Sequence, residues 1–218
     1  MNLVLLGPPG TGKGTISKFI EMRFGCGHVS TGDLLRDEVA RKTAVGIRIA
    51  PLMSAGSLVA DGVVVEILRE KLRSIKGKSF VLDGFPRNLA QGKILEPMLD
   101  GLGMPLDVVL EIDSRESLIV KRLSSRRQCV KCRRIYGLDV PSKKAGVCDD
   151  CGSQTVLRDD DRPDVVKRRL HLYNKITRPL SDFYGKKGLL HRIDGNRPLP
   201  EIFRDAEALL SSLEAKHA

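Results

Sequence analysis

Tryptophan is absent from this 218-residue sequence, and aromatic residues together make up only 4% of it. Single-stranded nucleic acid is bound largely by stacking bases on such rings, so that mode has little to work with here. No apolar run approaches the roughly 20 residues needed to span a bilayer, which excludes a helical membrane anchor. Residues 1–6, Met-Asn-Leu-Val-Leu-Leu, carry no basic segment and run straight into a glycine loop, so they read as a buried strand rather than an export signal. Cysteine is scarce as well, with five in the chain. With no export signal, a disulfide framework is disfavoured and a cytoplasmic protein is expected.

What the chain does have is positive charge: 37 Lys+Arg against 27 Asp+Glu, a net of +10. Such an excess suits polyanionic partners, whether nucleic acid, acidic lipid or phosphorylated small molecules. Charge alone does not choose among these, and surplus lysine on a soluble surface gives the same sum. The rest of the composition, 41% hydrophobic and 29% charged, is that of an ordinary globular domain.

Short apolar runs at residues 3–6, 79–82, 108–112 and 189–193 predict strands. Between them, helical patterns cover residues 13–22, 33–41 and 61–75, the last with Val64, Ile67, Leu68 and Leu72 at helical spacing. A long helix is predicted over 163–184, with Val166, Leu170, Tyr173 and Ile176 on one face and a kink at Pro179. Another opens near Pro198. Strands interleaved with helices predict an α/β fold whose parallel sheet is covered on both faces. Residues 128–156 break the pattern: turn formers punctuate them, four of the cysteines fall there, and they read as a small inserted subdomain.

Gly7-Pro8-Pro9-Gly10-Thr11-Gly12-Lys13-Gly14-Thr15 lies between the first predicted strand and the first predicted helix. Glycines there let backbone N–H groups turn inward as an anion nest at a helix N-terminus, and Lys13 adds a full charge for the terminal phosphates. The pattern departs from GxxxxGK[ST] by one place, since Gly14 follows the lysine and the hydroxyl comes at Thr15. Nucleotide phosphate binding follows, although the loop alone does not separate a kinase from a GTPase or ATPase.

With that loop, Ser30-Thr31-Gly32-Asp33-Leu34-Leu35-Arg36 and Asp83-Gly84-Phe85-Pro86-Arg87 followed by Gln91 make the chain resemble the nucleoside monophosphate kinases, and among them the adenylate kinases. Arg122, Arg126, Arg158 and Arg169 and the pair Asp194-Gly195 continue the match in order, over nearly the whole chain. The resemblance implies a P-loop three-layer core (residues 1–29, 60–125 and 163–218), a helical monophosphate-binding insert (30–59) and a lid (126–162). It also implies the Mg-dependent reaction ATP + AMP to 2 ADP in a monomer, with ATP, AMP and ADP as its partners and neither nucleic acid nor membrane.

Phosphoryl transfer needs two anionic nucleotides held in line and the spreading charge stabilised, and arginine's planar fork suits both tasks. By resemblance Arg36 and Arg87 hold the AMP phosphate, while Arg122, Arg126, Arg158 and Arg169 close on the donor phosphates and the group in transit. Lys13 and these arginines other than Arg36 form the catalytic set. Arg158 and Arg169 also reach the AMP side, and Arg122 is a candidate to stack on the donor adenine. Gly10, Thr11, Gly12, Gly14, Thr15, Ile135, Tyr136 and Arg197 complete the ATP side. Thr31, Ser57, Leu58, Val59, Gly84, Phe85, Pro86 and Gln91 form the AMP side, with Gln91 able to pair an adenine edge. Asp83, at a strand end facing the loop, either holds water on Mg²⁺ or caps a helix. Asp33 reads better as a cap, and Asp159, Asp160 and Asp161 either fix the arginines or cap the next helix. The four histidines show no ligand spacing, and no general base is required because the acceptor phosphate is already an anion.

Cys129-Val130-Lys131-Cys132 and Cys148-Asp149-Asp150-Cys151 are two CxxC pairs at the spacing of a four-thiolate zinc site. Four protein ligands leave no open position, so the zinc is expected to be structural. The dense basic stretch around it (Lys121, Arg122, Arg126, Arg127, Lys131, Arg133, Arg134) has nucleic-acid binding as its weaker alternative.

Overall fold

Apolar residues in the central strands alternate between two hydrophobic layers. The computed structural model describes residues 1–217. In β1 (Asn2–Leu6), Val4 and Leu6 face one layer and Leu3 and Leu5 the other, all four buried. The same division repeats in β3 (Phe80–Asp83) and β4 (Val108–Asp113). With β2 (Gly27–Ser30) and β8 (Leu190–Asp194) they form a parallel five-stranded sheet in the order β2-β3-β1-β4-β8. A sheet buried on both faces favours apolar residues along its inner strands, which is why these runs read as nearly continuous; the buried Glu111 of β4 is held by Ser181 and Arg192.

One face is covered by α1 (Lys13–Phe24) and α9 (Leu199–His217), which supply Ile16, Ile20, Ile202, Ala206 and Leu210. The other packs α2 (Thr31–Ala40), α3 (Ala44–Ser54), α4 (Asp61–Ser74), α5 (Leu89–Asp100) and α8 (Pro179–Gly185) around Leu68, Leu72, Phe85, Leu95 and Tyr184. This is the expected three-layer α/β architecture with a parallel sheet. The C-terminal strand ends carry Gly7, Thr31, Gly84, Ser114 and Gly195 to one edge, where open α/β sheets place their ligands.

Beyond β4, α6 (Glu116–Ser125) leads into β5 (Arg127–Cys129), β6 (Ile135–Tyr136) and β7 (Thr155–Val156), an antiparallel sheet in the order β6-β5-β7. Its core is only Cys129, Tyr136 and Cys148, with Cys151 packed against them. The predicted helix over 163–184 is two helices. α7 (Pro163–Leu172) passes through a π turn at Tyr173–Thr177, closed by the Arg178 N–H donating to the Tyr173 carbonyl at 2.9 Å, before α8 begins at Pro179. The break therefore starts at Tyr173, upstream of the proline to which sequence assigns it.

Candidate active site

A cleft of about 540 Å³ runs along the C-terminal edge of the sheet, from the phosphate loop to the loop after α3 and under β6. Gly7 opens the loop against β4, where a Cβ would stand 2.2 Å from the Ile112 carbonyl, so no side chain fits. Gly12 caps α1 at φ 93°, a left-handed angle that leaves the first helical N–H groups pointing outward. Lys13 donates from Nζ to the Gly7 and Pro8 carbonyls, both at 2.8 Å, which curls it over the loop. Burial lowers its pKa to about 8; Asp83 opposes the shift, and Arg87, Arg169 and Arg126 reinforce it.

The arginines surround this point and are held by acids. Asp160 accepts from Arg158 (2.9 and 2.8 Å) and pairs with Arg169 at 3.2 Å. Asp161, almost wholly buried, accepts from Arg126 Nε at 2.6 Å and from Arg169 at 3.2 Å. Burial pushes Asp160 up, but Arg169, Arg158, Arg126 and Arg36 outweigh it and hold the carboxyl at about 2. Burial also draws Arg169 down to about 10, against Asp160, and leaves it charged at neutral pH. Asp160 and Asp161 are thus the arginines' fixing charges; α7 opens at Pro163 without a side-chain cap. Arg122 spends two of its donors on Asp139 (2.7 Å) and the Gly195 carbonyl (2.9 Å).

At the other end, Arg87 is anchored along its backbone. Its N–H donates to Gln91 Oε1 at 2.7 Å, its carbonyl accepts from Thr177 Oγ1 at 2.8 Å, and its Nε donates to the Gly84 carbonyl at 2.9 Å. The Gln91 amide donates to Asp61 at 2.7 Å, so both ends of that side chain already have protein partners. Thr31 donates to the Asp83 carbonyl at 3.3 Å. Arg36 pairs with Asp33 at 2.6 Å, while α2 takes its cap from Ser30; Asp33 is therefore an ion-pair partner and not the cap expected from sequence. Nor does Asp83 cap a helix, since α2 and α5 use Ser30 and Asn88; its carboxylate instead faces Gly14 and Lys13 across the cleft.

The cleft brings together most of the residues expected there. Gly10, Gly12, Lys13, Gly14, Thr15, Arg122, Arg126, Ile135 and Tyr136 line one part, and Thr31, Arg36, Ser57, Leu58, Val59, Gly84, Pro86, Arg87 and Gln91 another, with Asp83, Arg158 and Arg169 between. Three side chains lie elsewhere. Thr11 turns inward to donate to the Pro8 carbonyl at 3.0 Å, and Phe85 is part of the hydrophobic core. Arg197 swings onto α9, pairing with Glu201 at 2.7 Å and with Asp205, because the helix presents two carboxylates a turn apart. Sequence reasoning missed Asp61, Asp139, Tyr173 and Thr177. The last two come to the cleft through the π turn, for which periodicity gives no signal.

The four cysteines of the insert converge without disulfides. Their sulfurs all lie within 4.8 Å of one another, with Cys129–Cys151 and Cys132–Cys148 each at 3.4 Å. Tetrahedral zinc at about 2.3 Å from each thiolate sets sulfurs about 3.8 Å apart, so the cluster is the right size for such an ion. The Lys131 and Cys132 backbone N–H groups point at Cys129 Sγ (3.4 Å each), and hydrogen bonds from Ser153 lower Cys151 to about 6, which favours the thiolate a metal needs.

A cleft built for phosphate anions at both ends and between them, on a parallel sheet with a glycine loop after its central strand, defines a P-loop phosphotransferase. Comparison with known proteins narrows the class. The family model described as adenylate kinase matches residues 5–189. An adenylate kinase of Archaeoglobus fulgidus is 41% identical over 99% of this chain and 100% of its own length. One from Thermodesulfovibrio yellowstonii is 43% identical over 96% and 99%, and one from Syntrophomonas wolfei 40% over 98% and 100%. The chain belongs to the adenylate kinase family, whose chemistry is phosphoryl transfer to a nucleoside monophosphate. No helix of the described residues is long and apolar enough to cross a membrane.

Proposed function

We propose that the enzyme catalyses ATP + AMP ⇌ 2 ADP, with ATP along the phosphate loop and AMP between Thr31 and Gln91. The observation that carries this reading is one continuous cleft with a phosphate cradle at one end, a second pocket at the other, and Arg126, Arg158 and Arg169 between them. Two anions held at those ends meet where the positive charge is densest. The loop N–H groups and Lys13 take the donor phosphates, and Arg36 and Arg87 take the acceptor phosphate, an anionic oxygen of which attacks the terminal phosphorus of ATP as the bridging oxygen leaves with ADP. Arg126, Arg158 and Arg169 leave their acidic partners in part as charge spreads over the moving group, which is where fixed cations lower the barrier most. A magnesium ion carried on the donor phosphates would be held through water by Asp83 and would add neutralising charge.

Residues 30–59 form the acceptor arm and 126–162 the lid, which excludes water and so protects ATP from hydrolysis. Zinc at Cys129, Cys132, Cys148 and Cys151 fastens the lid without entering the chemistry. The enzyme works as a monomer in the cytoplasm, with no nucleic-acid partner. Initial rates with ATP and a panel of monophosphates test the assignment: AMP should be phosphorylated far faster than CMP, UMP or GMP. Equal rates with AMP and UMP would sink the adenylate reading.

A further inference from the structure

β6 is two residues long, and both Ile135 and Tyr136 line the cleft on the side assigned to the donor nucleotide. Tyr136 is nonetheless almost wholly buried, because the far end of its ring belongs to the cysteine cluster. Its hydroxyl donates to Cys148 Sγ at 3.3 Å and accepts from the Asp149 N–H at 2.7 Å, so it grips the second CxxC turn at two points. The Arg134 guanidinium lies 5.2 Å from the ring centroid and pairs with Asp150 of the same turn. Through the sheet, Tyr136 stands opposite Arg127, next to Arg126 and its pair with Asp161. Tyr136 therefore joins the metal centre through its side chain and the cleft through its place on β6.

We propose that Tyr136 is a positioning residue that makes the metal centre felt at the donor-nucleotide subsite, its hydroxyl–sulfur contact fixing the cleft wall only while the four thiolates are gathered. The proposal rests on the assignment of that end of the cleft to the donor. Two physical facts carry it. Groups that hydrogen-bond to a metal's ligands orient those ligands and tune them, and their loss commonly weakens metal binding about 10- to 100-fold. The insert offers no other apolar core to hold the ring, since the cysteines themselves are its packing partners. With the sulfurs dispersed, the hydroxyl loses its acceptor and the ring its neighbours, while the acceptor pocket at Thr31 and Gln91 is untouched.

Tyr136→Phe keeps the ring and deletes only the contact. In the cobalt-substituted protein, the variant should shift the sulfur-to-cobalt charge-transfer band to lower energy, because a thiolate freed of a hydrogen bond donates more strongly. Its zinc should pass to a competing chelator at an affinity about 10-fold lower. Calorimetry of the zinc-loaded proteins should show ATP binding weakened about five-fold, the worth of one net hydrogen bond, with AMP binding unchanged. Stripping zinc from the wild type should weaken ATP by at least that factor and spare AMP, and stripping it from Tyr136→Phe should cost less than stripping the wild type does, since the hydrogen-bonded link is already cut and only the ring's packing remains to be lost. An unchanged cobalt spectrum and zinc affinity in the variant would overturn the proposal. So would a stripped wild type that binds ATP as tightly as the loaded protein, whatever the variant does. A loaded wild type that bound neither nucleotide would defeat the kinase reading instead, and the cobalt spectrum would still decide the contact.

Discussion

Lys13 must be charged to hold phosphate, yet it is buried among arginines that oppose its charge, and its pKa falls to about 8. Phosphate oxygens restore that charge, so ATP binding above pH 8 takes up a proton and weakens as pH rises further. Titration calorimetry in buffers of different ionisation enthalpy should show uptake approaching one proton near pH 9 and almost none at pH 6.5, with Lys13→Met abolishing the uptake. The same variant should stay folded and lose phosphotransfer by about two or more orders of magnitude, the scale of removing a fixed charge-stabilising donor. Asp161 plays the converse part, lying buried between Arg126 and Arg169. Asp161→Ala leaves the desolvated Arg126 without its carboxylate and Arg169 with Asp160 alone, a loss of about 3 kcal/mol. It should lower the melting temperature of the free enzyme, and saturating ADP, which re-pairs the arginines, should recover much of the loss; an equal drop with and without ADP would contradict this role. Lys13, Arg87 and the glycines were legible in sequence because their chemistry dictates residue type and order. Gln91 was legible only in part, since its amide also holds the Arg87 N–H and Asp61. Gln91→Ala should therefore reduce turnover as well as the preference for AMP.

Elements were readable where apolar residues ran in an unbroken period. β1, β3, β4 and α4 qualify, because their buried faces are almost entirely apolar, the exception being Glu111 on β4, which pairs with Ser181 and Arg192. α3 and α5 carry Pro51 and Pro97 with Gly46 and Gly92, residues that ordinarily break helices; packing overrides them, and sequence periodicity gave no helix at either place. β2 is an edge strand with a single buried aliphatic, Val29. The CxxC pairs lie at the opposite extreme: spacing alone identified a cluster that the fold then assembled from two separate turns. Metal binding there counts as folding free energy of a sheet with almost no core. Removing zinc should open a low-temperature unfolding transition confined to residues 127–156, seen as lost amide protection there, with the five-stranded core unchanged. Uniform loss of protection across the protein would show that the insert and the core unfold as one.

At the scale of the whole molecule, the two arms meet over the cleft. Arg133, just after the first CxxC turn, pairs with Asp37 on α2, while from the core Arg168 on α7 donates to the Ala55 carbonyl at 3.0 Å. Both members of the first pair are substantially exposed, and such a pair is worth under about 1 kcal/mol. That strength would suit arms that separate in each turnover of the proposed reaction. In the proposed reaction, the buried arginine cluster beneath them would let one site serve two nucleotides. The most direct test of that account is phosphorus NMR of the purified protein mixed with ATP, AMP and magnesium. ADP should appear at two molecules per AMP consumed, equal numbers of ATP and AMP should disappear, and no inorganic phosphate should form. Release of phosphate from ATP without loss of AMP would contradict direct transfer between two bound nucleotides.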